Sequence, residues 1–160
     1  MLGYLSEQEL GHLLAQVDRK ARHGERDYVL LSVLYDTGAR IQELLDLKPS
    51  NFHLDPPPFV RLRGKGRRER LCPLLPQSAQ LVGKFLATNG RSTDGHEPLL
   101  QNGRGMGLGR HGARYILLKY LRQAADLEMK RKALESATGP QATQPPEALP
   151  SGLIEWLESL

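Results

Sequence analysis

Eight consecutive residues, Tyr28 to Tyr35 (YVLLSVLY), include a single small polar side chain, Ser32. A helix that is apolar on nearly every side has to be wrapped by other elements. The pattern predicts this helix from about Glu25–Asp27 to about Asp36, where Thr37-Gly38 interrupts it. The rest of the chain reads as the wrapping. Ser6 with Glu9 forms a capping box that opens a helix over roughly 7–22, with Leu10, Leu13, Leu14 and Val17 as its apolar stripe and Gly24 beyond its end. A short helix from about Arg40 to Leu47 turns Ile41, Leu44, Leu45 and Leu47 inward and stops before Pro49. FVRLR (59–63) and RERLCPL (68–74) read as two strands around the turn Gly64-Lys65-Gly66, with Val60 and Leu62 on one face and Arg61 and Arg63 on the other. Pro76 opens a further helix that Gly90 closes. A Gly-rich loop over roughly 91–109, with an extended piece at 98–100, leads to a last helix over roughly 110–132 that buries Ala113, Ile116, Leu117, Tyr120 and Leu121. The expected fold is mixed α+β, mostly helical, with a small antiparallel hairpin or sheet, and 160 residues suit one core.

Charge divides the chain in two. Residues 1–132 hold 22 basic and 14 acidic residues, a balance of +8, while 133–160 hold four Glu and no Lys or Arg. A basic body points to a polyanionic partner. The segment ATGPQATQPPEALPSG reads as disorder, and the closing LIEWLESL as a short amphipathic turn or two, so two units are expected: 1–132 and a tail, 133–160. Cys72 is the only cysteine, which fits an intracellular chain without a disulfide framework. No apolar run approaches the ~18 residues of a membrane span, and the acidic start bearing Glu7 and Glu9 is unlike a signal peptide. Histidine and cysteine are too scattered for a structural zinc site, and no phosphate-binding glycine motif is present, so no metal or cofactor is expected.

Two segments carry the chemistry. In LYDTGARIQELLDL (34–47), Arg40 opens a helix on a rigid support, a good place to hold a phosphate; the plainer alternative is a surface pair with Glu43 or Asp36. In RLRGKGRRERL (61–71), six of the ten residues from 61 to 70 are basic. Such a prong can track a nucleic-acid backbone, and so dense a like-charged cluster repels itself without an anionic partner; the alternative is a solubilising hairpin.

Together, YDTGARIQELLDLKPSNF and the later VRLRGKGRRERLCPL resemble the catalytic domain of the tyrosine recombinase, or phage integrase, family: a TG-x-R-x-x-E-L helix start followed by a β-hairpin bearing GKG-x-x-R-x-x-P. RGMGLGRHGARYILLKYLRQA (104–124) resembles the helix that follows the sheet, so the likeness spans roughly residues 5–127. The resemblance implies DNA strand exchange. A tyrosine hydroxyl attacks phosphorus, a 3′-phosphotyrosyl link forms, a 5′-hydroxyl leaves, and a second 5′-hydroxyl reverses the step without metal or nucleotide. It implies that Arg40 neutralises the non-bridging oxygens as charge builds and that Lys65 is the general acid toward the departing 5′-oxygen. Glu43 matches the acidic residue of the first motif and is expected to support Arg40's neighbourhood. Arg61, Arg63, Arg67, Arg68 and Arg70 are expected phosphate contacts.

The family's second motif, H-x-x-R, and its nucleophilic tyrosine have no such match. His111 and Arg114 have the spacing, but their setting fits the preceding helix, so a phosphate-facing or surface role outweighs a catalytic one. Packing accounts for Tyr28, Tyr35, Tyr115 and Tyr120, and Tyr4 lies near a terminus. The expectation is therefore a truncated recombinase domain of mobile-element origin, without the separate helical core-binding domain. It should bind double-stranded DNA weakly, be inactive alone, and have full-length recombinase subunits as further candidate partners. A cytoplasmic, nucleoid-associated location and no membrane contact go with that reading. The alternatives are a non-catalytic DNA-binding or regulatory protein acting at recombination sites, and a variant that cuts with His111, Arg114 and a nearby tyrosine.

Overall fold

The computed structural model describes residues 7–137. Among these residues there are five α-helices: α1 (Glu7–Ala15), α2 (Gly24–Thr37), α3 (Ile41–Leu45), α4 (Pro76–Thr88) and α5 (Arg110–Ala137). Between α3 and α4 lies a three-stranded antiparallel sheet of β1 (Phe52–His53), β2 (Phe59–Arg63) and β3 (Glu69–Pro73), in that order. The architecture is mostly helical with a small antiparallel sheet, as the sequence predicts.

α2 is the wrapped element. Val29, Leu30, Leu31, Val33 and Leu34 are all buried, and α1, α3 and α4 pack around it. Its end follows from Thr37-Gly38. Gly38 adopts the left-handed conformation at φ 56° and its N–H reaches the Leu34 carbonyl, closing the helix. The Thr37 hydroxyl donates to the Val33 carbonyl at 2.7 Å and accepts from the Ala39 N–H at 3.2 Å, so the chain leaves in a fixed direction. Arg40 is extended (φ −66°, ψ 148°) and α3 starts at the next residue. Ile41, Leu44, Leu45 and Leu47 are buried in the common core, which also takes Val60 and Leu62 from β2 and Ile116 and Leu117 from α5.

Several details differ from the sequence reading. The first helix ends at Ala15, not near 22, and residues 18–24 fold back as a tight turn in which a Cβ on Gly24 would overlap the Asp18 carbonyl oxygen. In that turn Arg19 pairs with Glu25 at 2.9 Å and covers the Tyr28 ring at 4.4 Å. The sheet has a third strand, β1, which pairs Phe52 with Val60 and stacks His53 on Phe59 at 4.7 Å. At the piece 98–100, Leu99 donates to the Leu47 carbonyl at 2.8 Å, and the next residue, Gln101, bridges to Gly107. α5 continues past 132 to Ala137. The capping serine, Tyr4 and the segment from 138 onward lie outside the described residues.

One polar contact in the core joins distant segments. The Tyr120 hydroxyl on α5 donates to Asp27 Oδ2 at 2.8 Å, and Arg26 pairs with Asp27 Oδ1 at 2.7 Å while donating to the Gln101 carbonyl at 3.1 Å. Burial, reinforced by the bond to Asp27, holds the Tyr120 hydroxyl protonated well above the ordinary tyrosine range.

Candidate nucleic-acid interface

The two sequence segments meet at one carboxylate. Glu43 lies in the first turn of α3, three residues after Arg40, and its Oε2 accepts the Arg40 backbone N–H at 2.9 Å. This is the carboxylate half of a capping box: it satisfies an amide at the helix start and places negative charge where the helix dipole favours it. The same oxygen accepts from Arg70 Nη2 at 2.8 Å. Its Oε1 lies 3.0 Å from where a Cβ on Gly64 would stand, so glycine at 64 lets the first residue of the hairpin turn close onto the carboxylate. The Arg40 backbone and the neighbour of Lys65 therefore sit on either side of a side chain only 10% exposed.

The hairpin turn is broader than Gly64-Lys65-Gly66. It spans Gly64 to Arg68: the Gly64 N–H donates to the Arg68 carbonyl at 2.8 Å, and Gly66 and Arg67 are left-handed at φ 76° and 61°. Glycine takes the first of these freely; Arg67 takes the second at some conformational cost. The result presents Lys65, Arg67 and Arg68 to solvent at the tip.

Strand register sorts the remaining arginines. Cross-strand partners share a face, and the pairs are Arg61 with Leu71, Leu62 with Arg70, and Arg63 with Glu69. Arg61 and Arg63 accordingly stand on the outer face, where Glu69 approaches Arg61 at 3.8 Å. Arg70 is on the inner face with Leu62 and turns to Glu43, so it stands apart from the outer set with which the sequence reading grouped it. Among the described residues, no hydrogen bond or ion pair engages the side chains of Arg40, Arg63, Lys65, Arg67 or Arg68, and all five are exposed. Neither Glu43 nor Asp36 takes the Arg40 guanidinium: Glu43 is held as described, and Asp36 Oδ2 accepts the Leu75 N–H at 3.0 Å.

His111 and Arg114 are exposed in the first turns of α5, and no bond ties them to the Glu43 junction. Of the tyrosines, Tyr120 is committed to Asp27, Tyr28 lies under Arg19, and Tyr35 lines a groove between α1, α2 and α4; Tyr115, which the sequence reading assigns to packing, is instead 70% exposed, because it lies on the outer side of α5. Asp27 lies ten residues before Thr37, so the Tyr120 hydroxyl stands about 15 Å from the α3 end of α2 at the helical rise. Among the described residues, no group of three or more His, Cys, Asp or Glu side chains is placed to hold a metal, and no helix is long and apolar enough to cross a membrane. From sequence, Glu43 has only a supporting place beside Arg40. Its reach to Arg70 and Gly64 depends on the sheet's position, which the R-x-x-E spacing does not encode.

Known proteins show the same arrangement of sequence. The family model described as the phage integrase family matches residues 3–136. A tyrosine recombinase XerC from Staphylococcus saprophyticus is 32% identical over 123 residues, which cover 76% of this chain and 41% of that protein. A tyrosine recombinase XerD from Neisseria meningitidis serogroup A is 34% identical over 126 residues, covering 75% and 42%. Among solved structures, XerA recombinase superposes with a TM-score of 0.63 at 24% identity over 78% of this chain and 42% of its own. XerH recombinase bound to its difH substrate superposes with a TM-score of 0.63 at 23% identity over 76% and 36%, a likeness of fold. The chain thus spans about two-fifths of the length of these curated relatives. With its family match running from α1 through the hairpin and along α5, this chain belongs to the phage integrase family of tyrosine recombinases.

Proposed function

We propose that this chain is a DNA-binding part of a site-specific tyrosine recombinase, and that by itself it holds duplex DNA without cutting it. The observation that carries the reading is the Glu43 junction. One largely buried carboxylate fastens the Arg40 turn to the hairpin base, while the Arg40 guanidinium, Lys65, Arg63, Arg67 and Arg68 are left without protein partners among the described residues. Cations held on a rigid frame and left unpaired suit phosphate oxygens, and they need little reorganisation when charge grows on phosphorus.

In the reaction of the intact family, a tyrosine oxygen forms a bond to phosphorus and the bond from phosphorus to the 5′-oxygen breaks. Arg40 would neutralise the non-bridging oxygens, and Lys65 would give its proton to the departing 5′-oxygen. Arg61, Arg63, Arg67 and Arg68 would position the backbone. Arg70 would act through Glu43 by holding the hairpin in place. The absence of cutting is supported by Tyr120, bonded to Asp27 toward the far end of α2, and by Tyr28, covered by Arg19. Full-length recombinase subunits are the partners that would complete such a site. A location with the nucleoid would follow from DNA binding.

The test is anisotropy of a labelled duplex across a salt series, together with a denaturing gel of the full chain on a nicked suicide duplex. The expected result is binding whose log–log salt slope is about −0.9 per phosphate contact, weakened about tenfold or more by Arg63→Ala with Arg67→Ala, and no covalent adduct. No binding at low salt would refute the DNA reading. An adduct would refute the claim that this chain does not cut.

A further inference from the structure

Basic residues at the other end of α2 divide in the same way as those of the hairpin. In the turn before α2 and its first residues, Arg19 is neutralised by Glu25 at 2.9 Å and Arg26 by Asp27 at 2.7 Å. Lys20 and Arg22, between them, are exposed, and no ion pair engages their side chains among the described residues. The neighbouring carboxylate, Asp18, accepts the backbone N–H of Lys20 at 3.0 Å. His23 ends the turn, half-buried, with its Nε2 3.6 Å from where a Cβ on Gly103 would stand.

That contact brings a second loop alongside. Residues 101–107 are braced from within: Asn102 Oδ1 accepts the N–H groups of Arg104 at 2.9 Å and Met106 at 3.1 Å, and the Asn102 N–H donates to the Met106 carbonyl at 2.7 Å. Arg26 also ties α2 to this loop through the Gln101 carbonyl. Arg104 is exposed on the braced loop, and no hydrogen bond or ion pair engages its side chain among the described residues. Two braced segments therefore meet at one histidine, and each carries exposed cations.

We propose that Lys20, Arg22, His23 and Arg104 form a second phosphate-binding surface, which grips the backbone of the same duplex some distance from the hairpin. α2 has 14 residues, so its ends are about 21 Å apart. Phosphates follow one strand at about 3.4 Å of axial rise, so a duplex lying along α2 reaches the second surface about six base pairs from the hairpin end. The inference rests on the DNA-binding reading but concerns different residues. His23 gives the surface a signature that the lysines and arginines of the hairpin lack. Burial first, then Arg26 and Arg22, hold its imidazole below the ordinary range, with Asp27 opposing them. A phosphate at this place would favour the protonated ring, so binding would take up a proton and tighten as pH falls through the histidine range.

The experiment measures affinity of the full chain for a labelled duplex across salt and across pH 8 to 6. It compares the wild type with Arg22→Ala/Arg104→Ala, with His23→Gln, and with the hairpin pair Arg63→Ala/Arg67→Ala; thermal melting confirms that each is folded. The expected result is that Arg22→Ala/Arg104→Ala binds about tenfold more weakly and lowers the salt slope by about two. His23→Gln should flatten the gain in affinity at lower pH, and the hairpin pair should leave that gain in place. If Arg22→Ala/Arg104→Ala binds like the wild type while the hairpin pair is weakened, the second surface is overturned and the hairpin reading stands. If both pairs bind like the wild type, or the wild type binds nothing, both readings fail.

Discussion

Two carboxylates near opposite ends of α2 each hold an arginine, and they serve different ends. Asp27 is enclosed. Its side chain is 5% exposed and its arginine, Arg26, 13%; both carboxylate oxygens are used, by Arg26 and by the Tyr120 hydroxyl. Glu43 is open on one side: it is 10% exposed, but Arg70 is 49% exposed, and the cations around it face water. Where every partner is buried, pairing chemistry fastens one helix to another. Where only the carboxylate is buried, the same chemistry fixes a backbone and leaves nearby cations free for a ligand. The contrast predicts that damage at Asp27 spreads through the whole fold and damage at Glu43 stays local.

The largest effect is expected from Asp27→Ala. It strands the Tyr120 hydroxyl and the Arg26 guanidinium in the interior, and breaking a buried pair on one side costs about 3–5 kcal/mol. Urea unfolding should show that loss in the midpoint with little change in slope. A loss below about 1 kcal/mol would mean that water or a rearranged Arg26 replaces the carboxylate, and the contrast between the two ends would collapse. Tyr120→Phe is milder, about 1–2 kcal/mol, because it removes one hydrogen bond and keeps the ring. It also carries a pH signature. The folded state keeps the hydroxyl protonated above its ordinary value of about 10, so its contribution is whole below that pH and is lost as pH rises beyond it. The stability gap between wild type and Tyr120→Phe should therefore narrow above pH 10, read from urea midpoints at several alkaline pH values.

Little of this contrast was legible in the chain. The local features were: the apolar run of α2, its stop at Thr37-Gly38, the inward face of α3 and the two hairpin strands all follow from neighbours in sequence. The Asp27–Tyr120 bond joins residues 93 apart, and nothing in the 3.6-residue pattern of either helix marks it. β1 has two residues, too few for an alternation to be seen. β3 breaks the alternation outright. Arg70 faces inward because Glu43 is there to receive it, while Leu71 stands 60% exposed on the outer face. A reading by period alone puts the leucine inside and the arginine out. At the candidate site, the segments bearing Arg40 and Lys65 were legible because each is a short local motif. Their common support was not, since it needs the hairpin folded back over α3.

The smallest and most local effect is expected from Glu43→Gln. The amide oxygen can still accept the Arg40 N–H, so the start of α3 survives, but the charge that holds Arg70 is gone. With Arg70 half in water, the pair is worth about 0.5–1 kcal/mol, and global stability should fall by no more than that. Local opening is the sharper readout. Amide exchange across 61–72 should speed up relative to wild type, while amides of 116–121 in α5 keep their protection, because only the hairpin loses its tether. Asp27→Ala should produce the reverse, with exchange faster throughout the core. If Glu43→Gln loosens α5 as much as the hairpin, then Glu43 belongs to the same cooperative unit as Asp27. The free cations at the tip would then be supported by the whole fold, with no separate local brace.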